Sequence, residues 1–150
     1  MTIKTKDVRK KIEKLLTGQK LGILATLGKD YPYQSIVAFS GSGDMKHILF
    51  ATKRATSKYK NLKDRAQVSI FIDNRSNQEA DFLDAIGMTA LGDARELRGA
   101  SSRKFTGLFL RKHPSLGGFL SSPDCALFMI KVKVYYVVWH FQEVMEVRMV

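Results

Sequence analysis

The sequence predicts a mainly β protein, an antiparallel barrel of six or more strands with helices at the N-terminus and in the middle. Short apolar runs recur between clusters of turn residues, and only three stretches switch clearly to helical spacing. The connections between successive apolar runs are too short to hold crossover helices, which excludes a doubly wound parallel sheet. With 150 residues, of which 45% are hydrophobic and 26% charged, the chain can bury a core without disulfides or metal, and residues 1–150 are expected to form one domain.

Val8, Ile12, Leu15 and Leu16 recur at i, i+4, i+7 and i+8 among charged residues, so residues 6–17 form an amphipathic helix stopped by Gly18. Residues 20–27 and 33–39 are strands around the turn residues Gly28, Lys29 and Asp30, with Pro32 opening the second. The Ser40–Asp44 stretch is a flexible turn before a third strand at 47–52. Thr56 caps a helix over 57–64, and a fourth strand follows at 68–73. Ser76 and Glu79 have the spacing of a capping box ahead of a short helix. Residues 87–97 make a fifth strand in which Gly92 marks a bulge or a close backbone approach. A helix over 101–112, with Phe105, Leu108 and Phe109 on one face, ends at Pro114. A long strand at 126–139 and a short one at 141–147 complete the order.

Lysine and arginine outnumber aspartate and glutamate 25 to 14, giving a net charge of +11 and implying an anionic partner or simply a solubilising surface. The lone Cys125 excludes an internal disulfide and any multi-cysteine metal site. The basic N-terminus lacks an apolar signal core, and no apolar run approaches membrane-spanning length, so a soluble cytoplasmic protein is expected. His47, His113 and His140 have no paired metal-ligand spacing and are expected as surface or strand residues. Neither a dinucleotide-binding glycine fingerprint, a P-loop nor a G-x-S-x-G nucleophile turn occurs.

The window from Phe50 to Leu62 is the most informative. A strand ends in hydroxyl and basic residues and a helix begins at Thr56, so free helical N–H groups, two hydroxyls, Arg54 and Lys58 can converge on a phosphate. The plain alternative is an ordinary capped helix with a solvated lysine face.

This window, together with Gly22–Thr26, Pro32–Val37, Val68–Ile70, Gly87–Ala94 and Lys133–Val138, resembles the pyridoxamine 5′-phosphate oxidase-like FMN-binding split-barrel family. The resembling segments run in order through most of residues 20–147. The resemblance implies a six-stranded antiparallel split β-barrel and a homodimer with FMN in clefts between subunits. It implies that Thr52, Arg54, Ser57 and Lys58 hold the FMN phosphate, with Asn61 supporting the helix or the ribityl chain. Gln34, Ser35 and Ile36 would lie along the isoalloxazine edge, mainly through backbone groups. Trp139 would approach the ring from the partner subunit, or else simply be an aromatic at the end of a core strand. The flavin would carry hydride to or from a small substrate, with no side-chain nucleophile required.

The chain ends without the basic C-terminal segment that binds the vitamin phosphate in the classical oxidase, so pyridoxamine phosphate is not the expected substrate. Relatives of this fold bind a deazaflavin or haem, or carry FMN without turnover. For haem, His140 is the histidine nearest the expected cleft. A reading of another class is a basic barrel that holds single-stranded nucleic acid on Tyr31, Tyr33, Phe39 and Phe71. Against it, these aromatics fall mostly inside apolar strands.

Overall fold

The apolar stripe at the N-terminus forms as its spacing requires. In α1 (Ile3–Gly18), Val8, Ile12, Leu15 and Leu16 are at most 4% exposed and join the same core as the strands. The computed structural model describes residues 3–140 and 143–149. Its strands are β1 (Leu21–Leu27), β2 (Pro32–Gly41), β3 (His47–Lys53), β4 (Gln67–Asp73), β5 (Gly87–Glu96), β6 (Cys125–Trp139) and β7 (Glu143–Arg148). The helices between them are α2 (Ser57–Asp64), the single turn α3 (Asp81–Asp84), α4 (Gly99–Lys112) and α5 (Gly117–Ser121).

Every strand pairing is antiparallel. The sheet order is β3-β2-β1-β4-β5-β6-β7, and β3 also pairs with β6, which closes six strands into a barrel and leaves β7 outside the ring. Closure depends on the length of β6. Residues 125–131 pair with β3 while residues 134–139 pair with β7, and β5 runs along the other edge. Alternation along each strand sends Leu24, Val37, Phe39, Ile48, Phe50, Ile70, Ile72, Met88 and Tyr135 inward, where each is at most 3% exposed. A second, smaller core lies outside the barrel, where Phe109 of α4 packs with Leu49, Ala51, Leu127 and Met129 on the outward faces of β3 and β6.

Gly92 is both a bulge and a close approach. The β5–β6 register shifts between Leu91 and Gly92, and a Cβ at Gly92 would fall on the Lys131 carbonyl oxygen.

Three local expectations are corrected. Ser76 does not cap α3, whose preceding residue is Ala80. Instead the Asp81 carboxylate accepts hydrogen bonds from the backbone N–H groups of Ser76, Asn77 and Gln78 and from the Ser76 hydroxyl, so the loop is wound around the acid rather than around a capping serine. His113 is buried at 7% exposure, with Nε2 2.6 Å from the Phe39 carbonyl oxygen. The chain beyond Lys112 continues as a 3₁₀ turn (Pro114–Leu116) and α5, helical structure where only an end was expected. Of the strand expected over 141–147, residues 143–148 form β7, and Phe141 and Gln142 lie outside the described residues.

Candidate functional site

The barrel is split where β2 and β3 part. The two pair only through Phe39–Gly41 and Ile48–Phe50, so the first seven residues of β2 have β1 on one edge and no strand on the other. The Phe39 N–H donates toward β1, to the Lys20 carbonyl at 3.3 Å. By alternation, the backbone groups of Gln34, Ile36 and Ala38 face the gap. A cleft of about 320 Å³ occupies this gap, walled by Ile36–Ala38 of β2, Ala51–Lys53 of β3, Thr56 and Lys58 at the start of α2, and Phe109, Leu116 and Phe119.

The cleft is polar at one end and apolar at the other. Its polar end is the β3–α2 junction. Thr56 is extended (φ −135°, ψ 156°), its hydroxyl oxygen accepts from the Tyr59 N–H at 3.1 Å, and the hydroxyl donates to the Lys53 carbonyl at 2.8 Å. The Thr52 hydroxyl, almost fully buried, lies 3.4 Å from that of Thr56. Lys58 is half-buried beside them, and burial lowers its pKa. Neither a hydrogen bond nor an ion pair within the described chain engages its ammonium. A cation that is partly desolvated and has no protein counter-ion is suited to an anionic ligand. The apolar end is lined by Phe109 of α4 together with Leu116 and Phe119 from the helical turns that follow.

Arg54 is placed differently from Lys58. Its Nη1 donates to Glu96 Oε2 at 2.7 Å and to the Tyr59 hydroxyl at 3.1 Å, Nε reaches the Pro123 carbonyl at 3.4 Å and Nη2 the Cys125 carbonyl at 3.4 Å. The Tyr59 hydroxyl in turn donates to Glu96 Oε1 at 2.8 Å, and Arg98 Nη2 lies 3.2 Å from Glu96 Oε2. The Glu96 side chain is only 5% exposed. Burial alone would push its carboxyl up, but the hydrogen bonds from Arg54 and Tyr59 outweigh it and the net shift is below the ordinary value. The same pairing raises the Arg54 pKa.

The remaining sequence-derived positions divide among neighbouring surfaces. Ser57 and Asn61 face a second groove together with Lys29, Lys60 and Arg65, and the Asn61 amide donates to the Thr26 hydroxyl at 3.1 Å. The Gln34 side chain is exposed on the outer face, opposite Ala25. Ser35 points inward, opposite Leu24, and its hydroxyl oxygen is buried without a partner. Trp139 lies at the other end of β6 from the cleft, packed on the core with Lys11 Nζ 5.6 Å from its ring centroid. Glu96, Tyr59, Phe109, Leu116 and Phe119 were not anticipated as site residues. Only Tyr59, inside the Thr56–Leu62 run, carried any local signal, because the others reach the site through pairings distant in sequence.

Among the described residues, no group of three or more His, Cys, Asp or Glu side chains is placed to hold a metal ion, and no helix is long and apolar enough to cross a membrane.

The split between β2 and β3, with a basic helix start at its mouth, invites comparison with known families. The sequence signature described as pyridoxamine 5′-phosphate oxidase matches residues 8–120. The chain belongs to the pyridoxamine 5′-phosphate oxidase family. Structures with this family's barrel are similar over nearly the whole chain. General Stress Protein 26 from Bacillus anthracis superposes with a TM-score of 0.72 at 19% identity, over 95% of this chain and 98% of that one. A heme binding protein from Mycobacterium smegmatis gives 0.79 at 17% identity, over 90% of this chain but only 55% of that one. A FAD-binding protein from Mesorhizobium loti gives 0.66 at 17% identity, over 86% and 90%. At these identities the likeness shows the fold alone. No curated protein matches the chain in sequence.

Proposed function

We propose that the cleft between β2 and β3 binds a flavin mononucleotide and that the protein is a flavin-dependent oxidoreductase acting on a small substrate. Lys58, half-buried at the start of α2 and without a protein counter-ion, is the observation that carries this reading. The FMN phosphate, with about two negative charges at neutral pH, fits that position. The N–H groups of Ser57 and Lys58, which have no partner within the first turn of α2, are the further donors beside it, next to the hydroxyls of Thr52 and Thr56, which within the chain donate to the Lys53 carbonyl. The free backbone edge at Gln34, Ile36 and Ala38 suits the hydrogen-bonding rim of a flat heterocycle, and Phe109, Leu116 and Phe119 supply an apolar wall. The flavin supplies the hydride chemistry when bound, while the protein holds and orients it. Membership of this family supports this reading, and one structural relative is named as binding FAD, a larger flavin, where another is named as binding heme.

The protein is proposed to act as a homodimer. The outward faces of β1, β2 and β5 carry Leu21, Leu27, Ile36 and Leu91, each at least 37% exposed. Furrows of about 350 and 510 Å³ run across this face, the second lined by Leu21, Ile23, Ile36 and Phe71. Ile36 belongs both to this face and to the cleft, so a second subunit docked here would border the flavin.

The test is direct titration. FMN added to the protein is expected to bind with quenched flavin fluorescence, and Lys58→Ala to weaken binding by about tenfold or more, the worth of a charge-assisted hydrogen bond. A protein that takes up no FMN, or a Lys58→Ala variant that binds it as well as the wild type, overturns the proposal.

A further inference from the structure

We propose that Glu96 is a positioning residue for the anion end of the cleft, acting through Arg54, which serves as a strut. This inference rests on the reading of the cleft as a flavin-phosphate site.

A guanidinium has five N–H donors, and the structure commits four of those of Arg54: two on Nη1 to Glu96 and Tyr59, one on Nε to Pro123 and one on Nη2 to Cys125. No pair of parallel donors is left to grip a phosphate bidentately. The Arg54 backbone N–H is also engaged, by the Asp124 carbonyl at 2.7 Å. Arg54 therefore ties the end of β3 to the turn that leads into β6.

Glu96, at the end of β5, gathers these ties. One carboxylate oxygen accepts from Arg54 just before α2 and the other from Tyr59 in its first turn, so the junction is pinned on both sides of Lys58. Tyr59 is held in addition by edge contact with the Phe128 ring, with centroids 5.9 Å apart. Lys58 and the hydroxyl of Thr56 stand on the segment between the two pins. Removing the carboxylate takes one tie from each end of that segment, leaving Arg54 held by the turn before β6 and Tyr59 by the Phe128 ring.

The sign of the effect separates this role from the obvious alternative. If Arg54 were itself a phosphate ligand, Glu96 would be its competitor and a nearby repelling charge, and Glu96→Gln would tighten FMN binding. If Arg54 is a strut, Glu96→Gln weakens it. Riboflavin, which has the same ring and no phosphate, provides the internal control, because a general loss of structure weakens both ligands while misplacement of the anion end weakens FMN alone.

The experiment is titration of FMN and riboflavin into wild type, Glu96→Gln and Arg54→Lys, with thermal unfolding recorded for each. The expected result is an affinity for FMN about tenfold lower in both variants, by analogy with the lower end of what residues orienting metal ligands contribute, with riboflavin affinity unchanged. Arg54→Lys keeps the charge and loses the planar fork, so it tests the strut even if Glu96→Gln folds poorly. FMN affinity that is unchanged or higher in Glu96→Gln, or unchanged in Arg54→Lys, overturns the positioning role and leaves the flavin site standing. Equal losses for FMN and riboflavin overturn it as well. A wild-type protein that binds neither ligand overturns the flavin reading itself.

Discussion

The ammonium of Lys112 lies 3.9 Å from the centroid of the Phe39 ring and donates to the Leu16 carbonyl at 2.7 Å. It thereby joins the end of α4 to the end of α1 across the first residue that β2 pairs with β3. Burial lowers its pKa to about 8. Between that value and the ordinary lysine value the unfolded chain holds a proton that the folded chain has released, so this group makes stability rise with pH across the interval. The burial cost is present in full below about pH 8 and relieved above it.

Thermal unfolding of wild type and Lys112→Met at pH 7 and about pH 9.5 reads this contribution, with a gain at the higher pH in wild type that is absent from the variant. Tyr135, buried with its hydroxyl on the Met45 carbonyl, has a raised pKa and acts in the opposite sense at higher pH, so the comparison stops below that range. Equal pH responses in the two proteins would show that Lys112 titrates as an ordinary surface lysine.

Thr56→Ala is expected to cost about 1 kcal/mol of stability, since its side chain satisfies an otherwise free N–H of the first turn of α2. Thr56→Ser keeps the acceptor and is expected to retain most of both stability and FMN affinity. Urea unfolding beside flavin titration measures the two effects. An alanine variant with full stability and reduced FMN affinity would assign the hydroxyl to the ligand rather than to the cap.

The strands and long helices were legible because each is fixed by local pattern. Alternating burial in β4, from Val68 to Ile72, and the i, i+4, i+7 stripe of α1 need no distant information. The cap at Thr56 was equally local. What the sequence hid are relationships made only by closure of the barrel. Glu96 meets Arg54 because β5 pairs with β6 while β6 also pairs with β3, and no spacing along the chain encodes that meeting. Phe109, Leu116 and Phe119 were hidden for a related reason. Their apolar side chains suggest core, and only the parting of β2 from β3 turns that small outer core into the wall of a cleft. Ser35 illustrates the remaining difficulty, because a shift of one residue along a strand reverses the face its hydroxyl occupies.

Gly92→Ala is expected to destabilise the protein by about 1–3 kcal/mol, since the added methyl meets the Lys131 backbone and the Ile130 side chain, and a backbone obstacle cannot rotate away. Gly118→Ala in α5 is the matched control. No atom beyond its chain neighbours and its own helix backbone lies within 4 Å of the position its Cβ would take, and it is expected to be neutral or stabilising by about 0.5 kcal/mol. Chemical denaturation of the two variants tests the bulge as the reason for this glycine. A Gly92→Ala protein as stable as wild type would mean that β6 can shift to accept the methyl group.

Ile23 sits opposite Ile36 of β2 and Phe71 of β4 in the centre of the outward apolar face. A carboxylate there faces away from the barrel interior, so Ile23→Glu is expected to leave the monomer fold intact while placing an unpaired charge in the middle of a docked interface. Light scattering should then give the mass of two chains for wild type and of one for the variant. Because Ile36 borders the cleft and shares this face, the variant is also expected to bind FMN more weakly although every proposed phosphate ligand remains. Monomeric wild type would overturn the dimer, and an Ile23→Glu monomer with undiminished FMN affinity would place the whole flavin site within one chain.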